Sequence, residues 1–212
     1  MCKRQFVINN DADTCLPINT CAVAGTNSIG CGHSQLQEFS SAMNLPIMSQ
    51  KTYQKNHKLI SENWQQLAQQ SMDQAAEEEK NMAIAEGRVS KNGTPIIDVI
   101  ADGVYAKRSY KKNYSALSGA AAIVGRKKGK LLYLGVRNKY CYHCDRAEKK
   151  KSTMPEHFCS KNYSSPSTGM ESEIIVEGFK QSLATHGRIY GRLISDGDSS
   201  TYYHHHQSPI IS

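Results

Sequence analysis

The order of apolar segments in the second half of the chain constrains the fold most. Pro95-Ile96-Ile97-Asp98-Val99-Ile100-Ala101 is a short, nearly unbroken apolar run that reads as a buried strand and stops at Asp102-Gly103. Lys91-Asn92-Gly93 just before it has the composition of a tight turn. Ser118 to Gly125 and Lys130 to Val136 are two further strand-like segments, joined by Arg126-Lys127-Lys128-Gly129 as a basic hairpin. Met170 to His186 then places Ile174, Ile175, Phe179 and Leu183 on one helical face, and Gly187 closes the helix. Ile189 to Ile194 is a fourth strand, ending at Ser195-Asp196-Gly197-Asp198. The reading is an α/β domain: three strands, a helix, then a strand.

The first half has a different texture. Residues 1–33, with Asn, Asp, Thr and Gly throughout, read as irregular. Ser34 and Gln37 have the spacing of a capping box, and Leu36, Phe39 and Met43 follow at helical spacing up to Asn44-Leu45-Pro46. Ser49 caps a second, Gln-rich helix. Tyr53, His57, Ile60, Trp64, Leu67, Met72, Ala75, Ala76 and Met82 recur along it, and Gly87 sits where a C-cap belongs. The two helices read as a packing arm, with a DNA-binding helix-turn-helix as the weaker alternative. The boundaries are therefore an irregular segment 1–33, a helical region 34–87, a strand-rich core 88–203 containing a Cys/His loop at 138–168, and a tail at 204–212.

No run of about 18 apolar residues occurs, so no membrane-spanning helix is expected, and Met1-Cys2-Lys3-Arg4-Gln5-Phe6 does not open a secretory signal. The seven cysteines then suggest metal binding rather than a disulfide scaffold. Cys141-x-x-Cys144 followed by His157-x-Cys159 offers four ligands in two close pairs, which suits a tetrahedral structural zinc. His143 is an alternative to His157. Cys21, Cys31 and His33 are spaced more loosely and read as unliganded, and His204-His205-His206 reads as a solvated tail.

Charge is unevenly distributed. Residues 1–94 hold 8 Lys+Arg against 9 Asp+Glu, and the remainder hold 18 against 10. The excess is clustered at Lys107, Arg108, Lys111 and Lys112, at Arg126, Lys127, Lys128 and Lys130, and at Lys149, Lys150 and Lys151. Such clusters attract a polyanion, most commonly nucleic acid; the first two are the expected DNA-binding residues. Solvated loop tips are the plainer alternative.

Asp102 and Asp196 each follow a hydrophobic strand. Two carboxylates side by side form a hard oxygen site for magnesium, the arrangement used in phosphodiester chemistry. Asp-Gly after a strand is also an ordinary turn signal. The stretch from Val99 through Asp102-Gly103-Val104-Tyr105-Ala106-Lys107-Arg108-Ser109 to Tyr110 resembles the first catalytic block of the Mutator-like transposase domain of arthropod genomes. Gly135 to Cys141, Ser167-Thr168-Gly169-Met170-Glu171, Ser195 to Ser200 and Cys21 to Ser49 resemble further segments of it, in order, over residues 18–203.

The resemblance implies a ribonuclease-H-like fold: an N-terminal helical arm, then a mixed sheet whose first and fourth strands are adjacent, with the Cys/His loop inserted. It implies an Asp-Asp-Glu site for DNA cleavage and strand transfer. Asp102 and Asp196 would hold magnesium or manganese, Glu171 on the intervening helix is a further acidic candidate, and DNA is the partner in the nucleus. A helix-dipole role for Glu171 is the alternative. The family's third acid, a Glu on a later helix, has no counterpart, because no Asp or Glu follows Asp198. The expectation is a truncated, inactive copy whose fourth strand is an edge. A zinc-stapled, non-catalytic nucleic-acid-binding module is the alternative, and a homo-oligomer built on the Gln-rich helix is a third reading.

Overall fold

The computed structural model describes residues 17–105, 116–153, 156–157 and 159–194. The chain divides into two compact units, Met1–Gln69 and Gln70–Ser212.

The first unit contains α1 (Ile18–Ser28), α2 (His33–Ala42) and the first part of α3 (Gln50–Ala85). The irregular segment expected over 1–33 thus includes a helix. Its buried stripe is Thr20, Val23 and Thr26, so polar residues carry the core-facing positions and conceal the period. Burying them is tolerable because each hydroxyl is bonded: Thr26 Oγ1 donates to the Ala22 carbonyl at 2.6 Å, and Thr20 Oγ1 donates to Asn56 Oδ1 at 2.8 Å. The capping box also differs from expectation. Gly32 is the N-cap, and its N–H donates to Gln35 Oε1 at 3.0 Å. Ser34 and Gln37 therefore lie inside the helix, and Phe39 and Met43 are exposed. Ser49 does cap α3, accepting the Thr52 N–H at 3.3 Å. The small core here is Val23, Tyr53 and Ile60, with Ala24, Leu36 and Met48 against it.

The second unit is built on β1 (Ile96–Tyr105), β2 (Ser118–Gly125), β3 (Leu131–Asn138), α4 (Tyr142–Lys150), α5 (Met170–His186) and β4 (Ile189–Ile194). The sheet order is β3-β2-β1-β4. β2 is antiparallel to both neighbours, and β4 is parallel to β1. The first and fourth strands are adjacent, and β4 is an edge of the described sheet. A parallel pair needs a crossover, and α5 supplies it.

Gly87, at φ +69°, ends α3, and Gly93, at φ +77°, turns the chain into β1, both as the sequence predicts. The core on one face of the sheet joins Ile97, Val99, Ala101, Ala121 and Ile123 to Ile174, Ile175 and Phe179 of α5 and to Ala75, Ala76 and Ala83 of α3. Two glycines let α5 lie close. A Cβ on Gly135 would come within 2.3 Å of Ile174 Cγ2, and one on Gly178 within 2.5 Å of Ile123 Cδ1. The other face leaves Ile100, Val104, Leu134, Val136 and Ile194 exposed among the described residues.

Two further expectations are corrected. β1 does not stop at Asp102 but runs on to Tyr105, because β2 continues to pair with it as far as Gly119. The 138–168 segment is not all loop: α4 occupies part of it.

Candidate metal centre and carboxylate site

The insertion between β3 and α5 is closed at its base by two asparagines. The Asn138 N–H donates to Asn162 Oδ1 at 2.6 Å, and the Asn162 N–H donates to the Asn138 carbonyl at 2.9 Å. Inside that clamp, Cys141 is the N-cap of α4 and Cys144 lies in its first turn. The helix suits its charges. Asp145 is in the first turn, Lys149 and Lys150 are in the last, and Lys149 Nζ meets Asp145 Oδ2 at 2.8 Å. The returning chain brings His157 and Cys159 to the same point.

The ligand atoms of Cys141, Cys144, His157 and Cys159 all lie within 4.8 Å of one another. His157 Nε2 is 3.3 Å from Cys141 Sγ and 3.5 Å from Cys144 Sγ, and the Cys144 and Cys159 sulfurs are 3.5 Å apart. Tetrahedral zinc at its usual bond lengths sets ligand-to-ligand edges of roughly 3.5–3.8 Å. The four donors therefore fit zinc in number, type and spacing. The backbone N–H of Cys144 chiefly, with those of Ser160 and His143, holds the Cys141 thiol down to about 5. The hydrogen bond with Cys159 chiefly, then burial, pushes the Cys144 thiol up to about 11. His143 stands beside the cluster, its ring 5.0 Å from that of His157. Among the described residues this is the one group of three or more such side chains able to hold a metal. Cys21 and Cys31 do not join a cluster, and His33 Nε2 instead lies 3.1 Å from the Met48 carbonyl.

Asp102 is exposed on β1, opposite Ala122, and its carboxylate accepts the Gly103 N–H at 2.8 Å. Glu171 starts α5 and reaches the next residue of β1: a Cβ on Gly103 would lie 2.3 Å from Glu171 Cδ. The structure therefore brings Glu171 against Gly103, beside Asp102 in the sequence. Asp196 and Asp198 lie outside the described residues.

Three of the hairpin's four basic side chains meet the chain's own acids, and the fourth residue, Lys128, is bonded through its backbone. Arg126 Nη1 is 3.5 Å from Asp98 Oδ2, Lys127 Nζ is 2.6 Å from Glu86 Oε1, and Lys130 Nζ is 2.8 Å from Glu78 Oε1. The Lys128 N–H donates to buried Glu79 at 2.7 Å. The hydrogen bond from Lys130 holds the Glu78 carboxyl below the usual range. The acidic run Glu77-Glu78-Glu79 in the sequence signals only the Glu78 and Glu79 part of this pairing; Glu86 and Asp98 stand apart from it. Lys107, Arg108, Lys111 and Lys112 lie outside the described residues.

Sequence reasoning missed a third feature. His143, Arg146, Ala147, Lys150 and Ser152 line a hollow of about 280 Å³ on α4.

A family model described as Mutator-like transposase matches residues 2–209. That span extends on both sides of the resemblance read over 18–203 and into the segment set apart as a tail. No curated protein and no solved structure matches the chain.

Proposed function

From the premise that the chain belongs to the Mutator-like transposase family, we propose that its second unit is the part of a DNA strand-transfer machinery that holds a hard divalent cation and DNA. The supporting observation is the parallel pairing of β1 with β4, which runs to Ile100 opposite Ile194. Asp102 and Asp196 each stand two residues further along the sequence, so continuing that register would bring two carboxylates to one place. Glu171, packed against Gly103, stands at the same end of β1 but on the α5 face, whereas Asp102 alternates to the other face with Ile100 and Val104, so the reading rests on the two aspartates. The strand order with β4 beside β1 also agrees with the opening of a ribonuclease-H-like fold. Magnesium or manganese at such a site activates an attacking oxygen and stabilises a leaving one. The carboxylates of Asp102 and Asp196 would supply the hard oxygen ligands. No Asp or Glu follows Asp198, so a third acid from a later helix is not among these residues.

Manganese binding, followed by electron paramagnetic resonance on the whole chain, tests the reading. Wild type binds the ion, while Asp102→Asn and Asp196→Asn each lose it. Equal binding by all three proteins would remove the carboxylate site from the account. The Cys3His cluster supports a second reading, a zinc-stapled module that binds DNA without catalysis. That reading predicts DNA binding indifferent to magnesium in wild type and in both aspartate variants.

A further inference from the structure

We propose that the outer face of α4 grips the phosphodiester backbone of DNA through Arg146 and Lys150, and that the metal cluster holds that face in place. This rests on the DNA-binding reading above and adds where the polyanion sits.

The hairpin 126–130 is a poor candidate once its partners are known. Arg126, Lys127 and Lys130 each face a carboxylate of the same chain, so a phosphate would have to displace an ion pair already made. Arg146 and Lys150 differ. They stand four residues apart on one helix and therefore share a face. Both line the same hollow, about 280 Å³ in volume, and buried Ala147 lies beside them. Among the described residues neither enters an ion pair. A guanidinium offers a planar fork that matches two phosphate oxygens, and an ammonium adds a point charge next to it. Such contacts position a duplex without reading its sequence.

The link to the metal is structural. Cys141 and Cys144 grip the first turn of α4, and the His143 ring, which lines the hollow, lies against the His157 ring. A helix of nine residues does not persist in water without tertiary support. Removing the metal therefore disperses the basic face, although the metal itself never touches DNA.

Fluorescence anisotropy of zinc-loaded full chain on a labelled duplex, in rising salt, provides the test. Each phosphate contact adds about 0.9 to the slope of log affinity against log salt, so Arg146→Ala/Lys150→Ala should lower the slope by roughly two and the affinity about tenfold or more. Lys127→Ala/Lys130→Ala should leave the slope unchanged. Chelating the zinc should reproduce the α4 result while circular dichroism still reports the sheet. A slope unchanged in the α4 variant, or lowered equally by the hairpin variant, overturns the proposal but leaves DNA binding intact. Wild type that binds no duplex even at low salt overturns the underlying reading instead.

Lysine acetylation footprinting of wild type gives a measurement free of folding effects. Lys150 should be shielded by duplex, and Lys127 and Lys130 should not. Equal shielding of Lys150 by polyglutamate at matched charge would point to an acidic protein partner and overturn the DNA assignment.

Discussion

Asp98 shows what one residue in this chain has to balance. It lies within β1, buried, with Arg88 Nη2 at 2.5 Å and Arg126 Nη1 at 3.5 Å from its two oxygens. The hydrogen bond from Arg88 is the main reason its carboxyl titrates below the usual range; burial works against that and loses. A depressed folded-state value means the contribution to stability is full above the unfolded value of about 3.9 and fades as pH falls through the lower folded one. Asp98→Asn should therefore cost about 1–3 kcal/mol at neutral pH, between the values for an exposed pair and for a fully buried one because Arg88 is partly in water. The gap between wild type and variant should close below about pH 4 in urea titrations across pH. A gap that stays constant into strong acid would show that the ion pair is not its source. The sequence displayed Asp98 only as a polar interruption in an apolar run. Its partners, 10 and 28 positions away, depend on a hairpin and a turn that bring them round.

Elements were readable where apolar period and punctuation agreed. α5 and β4 have the predicted bounds because Ile174, Ile175 and Phe179 keep a helical step and Gly187 sits at φ +57° just after the helix. α1 was hidden because two of its three buried residues are threonines whose hydroxyls bond within the unit. α4 was hidden because its interior residue is a single alanine and its order comes from charges and from the cysteines at its start. The same cysteines located the Cys3His cluster, since ligand spacing survives in sequence even where hydrophobic period does not. The helix and the site should fail together. Cys144→Ser and His157→Ala should each lose the zinc, measured by metal analysis, and with it part of the far-ultraviolet helical signal. His143→Ala should keep one zinc per chain, because its ring only flanks the cluster. A His143 variant stripped of zinc would place that imidazole among the ligands.

At the scale of the whole molecule the two units differ in how much apolar surface holds them. The first relies on buried Val23, Tyr53 and Ile60 with only Ala24, Leu36 and Met48 partly buried against them, helped by hydrogen bonds such as Tyr53 Oη donating to Asn27 Oδ1 at 3.1 Å. The second has a core that links β1, β2 and β3 to α5 and to the later residues of α3, with Ile97, Val99, Ile123 and Ile174 almost wholly out of water. Hydrophobic burial is the main favourable term in folding, and small cores leave little margin over chain entropy. Local opening should therefore be far easier in the first unit. In native-state hydrogen exchange followed by mass spectrometry, amides of α1 and α2 should exchange well ahead of those in β1, β2 and α5. Within α3, Leu59, Trp64 and Leu67 are exposed and the later residues Ala75, Ala76 and Ala83 are buried, so protection should rise toward the end of that one helix. A flat profile along α3, with α1 as slow as β1, would mean that the first unit draws stability from something other than its own core. Self-association of the chain through the exposed middle of α3 would give that result, and sedimentation at two concentrations would separate it from an intrinsically stable unit.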